Sequence, residues 1–392
     1  MSAPVSSPAT AQRSLYEPGL DGLRLVAFLA VFLHHLPGPT RSLLAPFHSH
    51  GWSGVELFFA ISSFLLFRLL DAEYERTGQI GIGKFFTRRL LRIYPLMMAF
   101  SLAMFVLLSN RGGEAIFRLL GLATMTDNII TVFAKYNVAI PFSGHLWTLG
   151  FEFQIYLCLP FLFLAWKRWG TARFLAGLGL FWALAILARV LVTAAGYGHP
   201  LIWVVPIMQP DAILAGIVLA TGATARLPRA VWPALFVVSL LAFLLVRPPW
   251  AGVVPAILSY PLIALASVSL MQCVRTIPLF GRVFGAPIPV YLGTISFGLY
   301  VFHLLGIGIG VKALMPLIGV RVPETLAHSA IVAAVALAAT LLLSAISYRW
   351  LEMPFLRLKD RFSTVHGRAA LSEPSPADAM PAQTGAARAP ER

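Results

Sequence analysis

The chain has 392 residues, 58% of them hydrophobic and only 12% charged, with a mean hydropathy of +0.79. Soluble domains carry roughly a quarter charged residues, so this composition excludes an ordinary water-soluble fold and points to an all-α polytopic membrane protein. The net charge of +14 does not imply a nucleic-acid partner, because the basic residues lie in loops and tails beside apolar segments, as membrane topology requires.

Residues 1–17 are small, polar and proline-bearing, without the basic start and apolar stretch of a cleavable signal. They are expected to form a disordered cytoplasmic tail, with the first helix acting as the insertion signal. Ten segments are long and apolar enough for a hydrocarbon core that needs about 20 residues per helix: 20–38, 52–70, 93–109, 148–166, 173–193, 203–221, 230–246, 252–271, 291–311 and 327–348. The stretch 113–133 reads as an interfacial or re-entrant piece, which leaves eleven as the competing count. Residues 18–358 then form one membrane domain, and 359–392, poor in apolar residues, a second disordered tail. With the N-terminus inside, Lys and Arg of the tails and even-numbered loops far outnumber those of the odd-numbered loops. Both termini are therefore expected in the cytoplasm, with the chain crossing the membrane several times. Cys158 and Cys273 show no metal or redox spacing and are expected to be core residues without a disulfide.

Ionisable residues inside spans are costly and mark cavities, pathways or reactions. The first span, LDGLRLVAFLAVFLHHL, holds Arg24 and His35 on nearly one helical face, roughly 16 Å apart along the axis. His34 lies about 100° away from His35. FFTRRLLRIYP places Arg88, Arg89 and Arg92 before the third span; Arg88 and Arg92, spaced i, i+4, can meet one anion from one face. The same arginines can equally fix topology and touch anionic lipid. Three acids fall within spans, Glu56, Glu152 and Asp211. Glu56 and Glu152 are expected at the depth of His35, where a carboxylate can orient an imidazole base or close a helix end. His145 can join that polar cluster, and His303 can hydrogen-bond a neighbouring helix. His34, His48 and His50 lack an acid at ligand spacing, so no metal site is expected. Trp147 and Trp203 read as interfacial aromatics. Walker, dinucleotide, GxSxG and HExxH motifs are absent.

Six landmarks in order, GLDGLRLVAFLAVFLHH, GVELFFAISSFLL, RRLLRIYP, HLWTLGFEFQIYL, LGTISFGLYVFH and SYRWLEMPF, make the chain resemble the acyltransferase family 3 membrane proteins, which include O-acetylases of bacterial surface polysaccharides and macrolide O-acyltransferases. The resemblance implies about ten core helices, acyl-CoA drawn from the cytoplasm as donor substrate with no tightly bound cofactor, and a carbohydrate or glycosylated small molecule as acceptor. It maps the family's basic residue and histidine onto Arg24 and His35, its arginine pair onto Arg88 and Arg92, and its glutamate onto Glu152. Where the family often has aspartate, glycine and a second glutamate, this chain has Glu56, Ser63 and Phe153. The expected roles are His35 as general base, Glu152 and Glu56 supporting its protonated state, and Arg24, Arg88 and Arg92 holding the CoA phosphates. A transporter or flippase for an anionic or lipid-linked substrate would use the same residues for binding and proton coupling, with no bond made.

Overall fold

A computed structural model describes residues 16–39, 43–134, 136, 139–319 and 323–363. Among these, every regular element is helical. The first is α1 (Pro18–His35), with Pro18 in its opening turn, Asp21 near its positive end and His34 and His35 in its last turn, each placed to favour the helix dipole. Then come α2 (Ala45–His50), α3 (Gly54–Thr77), α4 (Ile82–Leu108), α5 (Gly113–Ala123), α6 (Asp127–Ala134), α7 (Trp147–Trp169) and α8 (Thr171–Ala194). The second half contains α9 (Leu201–Val204), α10 (Asp211–Ala220), α11 (Val231–Leu245), α12 (Val253–Thr276), α13 (Pro278–Phe284), α14 (Pro287–Thr294) and α15 (Ser296–Leu314). It closes with α16 (Leu326–Ser347), a π-helical turn at Tyr348–Glu352, and α17 (Met353–Asp360).

Seven of these stretches are long and apolar enough to cross a membrane. The expectation of ten is not reached by that measure, for local reasons. In α1 four ionisable side chains dilute an 18-residue helix, while α10 and α11 have only 10 and 15 residues. The segment 203–221 is interrupted between α9 and α10, whereas 291–311 still supplies a span because α15 is long enough after the break at Ile295. The stretch 113–133 divides into α5 and α6, each too short to span.

The helices pack both as chain neighbours, α15 along α16 and α11 along α12, and across the sequence, α10 along α3 and α1 against α3 and α14. Small residues permit these approaches, as in membrane bundles generally. A Cβ on Gly54 would stand 2.2 Å from the Ala27 carbonyl, so α3 can meet α1 only through glycine there. Ser63 has a reciprocal partner, because its hydroxyl occupies the space that a Cβ on Gly216 would need. Large side chains such as Leu180, Val238 and Leu245 face outward, which suits a lipid-facing surface. Phe153 packs against the core.

Of the expected tails, residues 1–15 and 364–392 lie outside the described residues. Glu17 pairs with both Arg68 and Arg275. At the other end the ordered chain continues past the expected boundary at 358: α17 runs to Asp360, and Arg88 Nη1 donates to the Phe362 carbonyl at 2.8 Å. That bond gives the segment a partner its composition does not reveal.

Candidate active site

Two cavities with shared wall residues adjoin beside α1. The first, about 120 Å³, is lined by Arg24, Arg89, Arg92, Glu152 and Tyr156, with Phe58, Ser62 and Ser296 among its other walls. The second, about 480 Å³, is lined by His34, His35, His145 and His199, Tyr136, and the indoles of Trp52, Trp147, Trp203 and Trp250. Val55, Thr148 and Tyr300 belong to the walls of both.

Helical geometry explains much of this sorting. In α1, three turns carry Arg24 into the first cavity and His35 into the second. In α7, Thr148, Glu152 and Tyr156 recur at i, i+4 and i+8 on one face, so Glu152 sits one turn, roughly 6 Å, beyond the shared wall and inside the arginine cavity. The Tyr156 hydroxyl donates to Glu152 Oε1, and Arg89 is within electrostatic reach of Glu152. The expectation that Glu152 supports His35 is therefore not the geometry found. Glu56 also lies apart from His35, lining neither cavity. Its neighbour Val55 faces them, and a 100° step turns Glu56 into the core, where the charges acting on it are Asp211 and Arg189. Those two form a fully buried pair at 2.7 Å, completed by a 2.8 Å bond from Trp182 Nε1 to Asp211 and by the Tyr260 ring beneath the guanidinium.

The partners of His35 are a backbone carbonyl and another histidine. His303 Nδ1 lies 2.6 Å from the Tyr300 carbonyl, and His35 Nδ1 lies 2.9 Å from the Val31 carbonyl and 3.3 Å from His303 Nε2. Carbonyls only accept, so each Nδ1 carries the proton and His303 Nε2 accepts from His35. The network leaves His35 Nε2 as an unprotonated nitrogen on a residue that lines the larger cavity. His303, expected to hydrogen-bond a neighbouring helix, does so here, from α15 to α1. His145 joins the same cluster, its ring 4.6 Å from that of His303, and burial pushes its pKa down to about 3. Burial likewise lowers His199 to about 4, so both rings are neutral at ordinary pH.

Two expectations from helical spacing change on the third dimension. His34 lines the same cavity as His35 despite its 100° offset, and Trp52, in the turn before α3 that packs on α1, shares that wall. Trp147 and Trp203, 4% and 7% exposed, pack edge to face at 5.5 Å on the wall of that cavity, covered by protein instead of presented on the outer surface. His48 and His50 bind the backbone carbonyls of Leu36 and Val246.

On the arginine side, Arg88 is engaged elsewhere. Its Nη2 meets Glu73 at 2.9 Å, so it ties α4 to α3 and to the segment after α17. Arg89 takes the place expected of Arg88, with a buried Nε that has no hydrogen-bond partner among the described residues. Arg92 lies 3.7 Å from Glu352 and over the Phe297 ring. Lys359 of α17 is within electrostatic reach of both Arg89 and Arg92. Arg24 is paired to Asp21 at 2.6 Å within its own helix. Arg89, Lys359 and Glu352 were not singled out by sequence reasoning. The RRLLR run and the SYRWLEMPF landmark contained two of them, without the azimuth that assigns a role.

Comparisons with known proteins agree with the landmarks. A family model described as an acyltransferase domain matches residues 17–349. The chain is 24% identical over 321 residues to the Staphylococcus aureus protein named "Putative O-acetyltransferase SAS0844", covering 74% of this chain and 50% of that one. It is 33% identical over 156 residues to "O-acetyltransferase OatA" of the same species, covering 37% of this chain and 24% of OatA. The chain thus spans about half the length of SAS0844 and matches about a quarter of OatA. No solved structure shows significant similarity. Helical architecture, landmarks and family model together place this multi-pass membrane chain in the acyltransferase family 3.

Proposed function

We propose that the chain is a membrane-embedded O-acyltransferase that moves a short acyl group, acetyl by preference, from acyl-CoA to a hydroxyl of a carbohydrate or glycosylated acceptor. The observation that carries this reading is the pair of adjoining cavities, one cationic and one with an unprotonated imidazole nitrogen at its wall. In this reading the chain sits in the bacterial inner membrane with the arginine cavity open to the cytoplasm. There Arg24, Arg89 and Arg92, with Lys359 nearby, hold the phosphates of CoA, a task suited to guanidinium groups. The slender pantetheine arm points along the narrow cavity toward Thr148 and Tyr300. The acceptor occupies the larger cavity, where flat indoles offer the apolar faces that sugar C–H surfaces pack against, and histidine and tyrosine groups supply polar contacts.

His35 Nε2 takes the proton of the attacking hydroxyl, and His303 holds the ring in the tautomer that makes this possible. Glu152 serves as counter-charge among the arginines. A transporter would use the same cavities without making a bond, and the names of the relatives favour chemistry. The test is purified protein incubated with labelled acetyl-CoA and a panel of methyl hexopyranosides. Transfer of label to a hydroxyl supports the reading, and an intact donor in every case removes it.

A further inference from the structure

The two cavities meet at a pair of hydroxyls. Thr148 Oγ1 and Tyr300 OH are 2.8 Å apart on a wall common to both, and each also approaches the His145 carbonyl, at 3.1 and 3.2 Å. Thr148 and Tyr300 are 4% and 7% exposed, so bulk water does not satisfy these groups. Three contacts share only two protons. One hydroxyl donates to the other, the second donates to the carbonyl, and one contact always lacks a proton. Either hydroxyl can therefore turn its proton to a new acceptor while the other keeps the His145 carbonyl bonded. The Tyr300 ring also packs at 5.6 Å against His303, the partner of His35.

We infer that Tyr300 and Thr148 are catalytic residues whose hydroxyls bind the thioester carbonyl oxygen and stabilise the oxyanion formed during transfer. The inference rests on the proposed acyl transfer and adds its missing electrophilic component. The acceptor O–H gives its proton to His35 Nε2 as its oxygen bonds to the carbonyl carbon. The C=O π pair moves onto oxygen, where one hydroxyl of the pair donates a hydrogen bond while the other keeps the His145 carbonyl bonded. Collapse restores the C=O bond, breaks the C–S bond, and the departing CoA thiolate takes the proton from His35. The products are an ester and CoA–SH, with no other reactant consumed. Donors preset in a water-poor site act where charge develops, and losing one typically lowers kcat about 10²–10³-fold.

The experiment is steady-state kinetics on the full chain in detergent, with acetyl-CoA and the methyl hexopyranoside panel, on Tyr300→Phe, Thr148→Val and Thr148→Ser. Tyr300→Phe leaves Thr148 able to donate to the His145 carbonyl, so no buried acceptor is orphaned. It is expected to lose about 10²-fold or more in kcat with the acetyl-CoA KM within about threefold of wild type, as for an interaction made only in the transition state. Thr148→Ser, which keeps the hydroxyl, is expected to exceed Thr148→Val by about tenfold or more in kcat. A Tyr300→Phe kcat within about threefold of wild type, or a loss confined to KM, overturns the inference. If Tyr300→Phe does not fold, the threonine pair decides, and equal kcat for Thr148→Ser and Thr148→Val overturns it. A wild-type protein that transfers to no acceptor overturns the acyl-transfer reading and the inference with it, whereas an active wild type beside an equally active Tyr300→Phe overturns the inference alone.

Discussion

His35 shows how one side chain acquires a role through its hydrogen bonds. With Nδ1 held by Val31 and His303, only Nε2 can accept a proton, and His35→Ala should lower kcat about 10²–10⁴-fold in folded protein. His303→Phe keeps a ring in place but removes the acceptor. It should cost about tenfold and broaden the pH–rate profile, since the imidazole would no longer be held in one tautomer. Because His34 lines the same cavity, His34→Ala should raise the acceptor KM more than it lowers kcat. Glu152 offers a test by sign. If it is a counter-charge beside Arg89 and Arg92, Glu152→Gln should leave the acyl-CoA KM unchanged or lower. Arg89→Ala or Arg92→Ala should raise that KM tenfold or more, the size expected for a lost charge-assisted bond of about 1.5–3 kcal/mol. A raised donor KM in Glu152→Gln would show the carboxylate binding the donor directly.

Among the elements, α4 divides two duties between adjacent residues. Arg88 faces Glu73 of α3, with side-chain exposures of 11% and 5%, while Arg89 faces the cavity. Removing one partner of a buried pair strands the other charge, so Arg88→Ala should destabilise the protein by about 3 kcal/mol and leave the acyl-CoA KM near the wild-type value. Thermal melts in detergent alongside donor kinetics check both halves of this expectation. An unchanged melting temperature with a raised KM would return Arg88 to the donor site. The π-helical turn at Tyr348–Glu352 has a comparable effect on the C-terminal end. It widens the helix by one residue, as π-turns at functional sites often do, and sets Glu352 opposite Arg92 and α17 against α4.

At the scale of the whole molecule, the charge bias of the loops and the polarity of the two cavities agree, with the arginine end proposed to face the cytoplasm. Single cysteines in a Cys158→Ala, Cys273→Ala background test this. Leu43→Cys and Leu317→Cys, at exposed positions of 79% and 80%, should react with a membrane-impermeant maleimide on intact cells. Leu227→Cys, in the loop between α10 and α11, should react only after permeabilisation. The reverse pattern would invert the chain and put the arginines outside, away from any cytoplasmic acyl-CoA.

By itself the sequence determined that this is a helical membrane protein, where its apolar segments lie, which family it joins, and that one helix carries Arg24 and His35 three turns apart. These are local properties. Apolar length and a 3.6-residue period are written along a single segment, and they fix the rise and angle between residues of one helix. They do not fix the direction in which that helix faces, which is set by its neighbours. Only the tertiary structure could decide that Arg89 and not Arg88 enters the cavity, that Glu152 stands with the arginines, and that Glu56 turns toward Arg189 and Asp211. The same limit hid the pairs that assemble the site. His35 and His303 are 268 residues apart, and Thr148 and Tyr300 are 152 apart. The first pair meets where α15 packs on α1 and the second where the start of α7 reaches α15, and no pattern within one segment encodes either meeting.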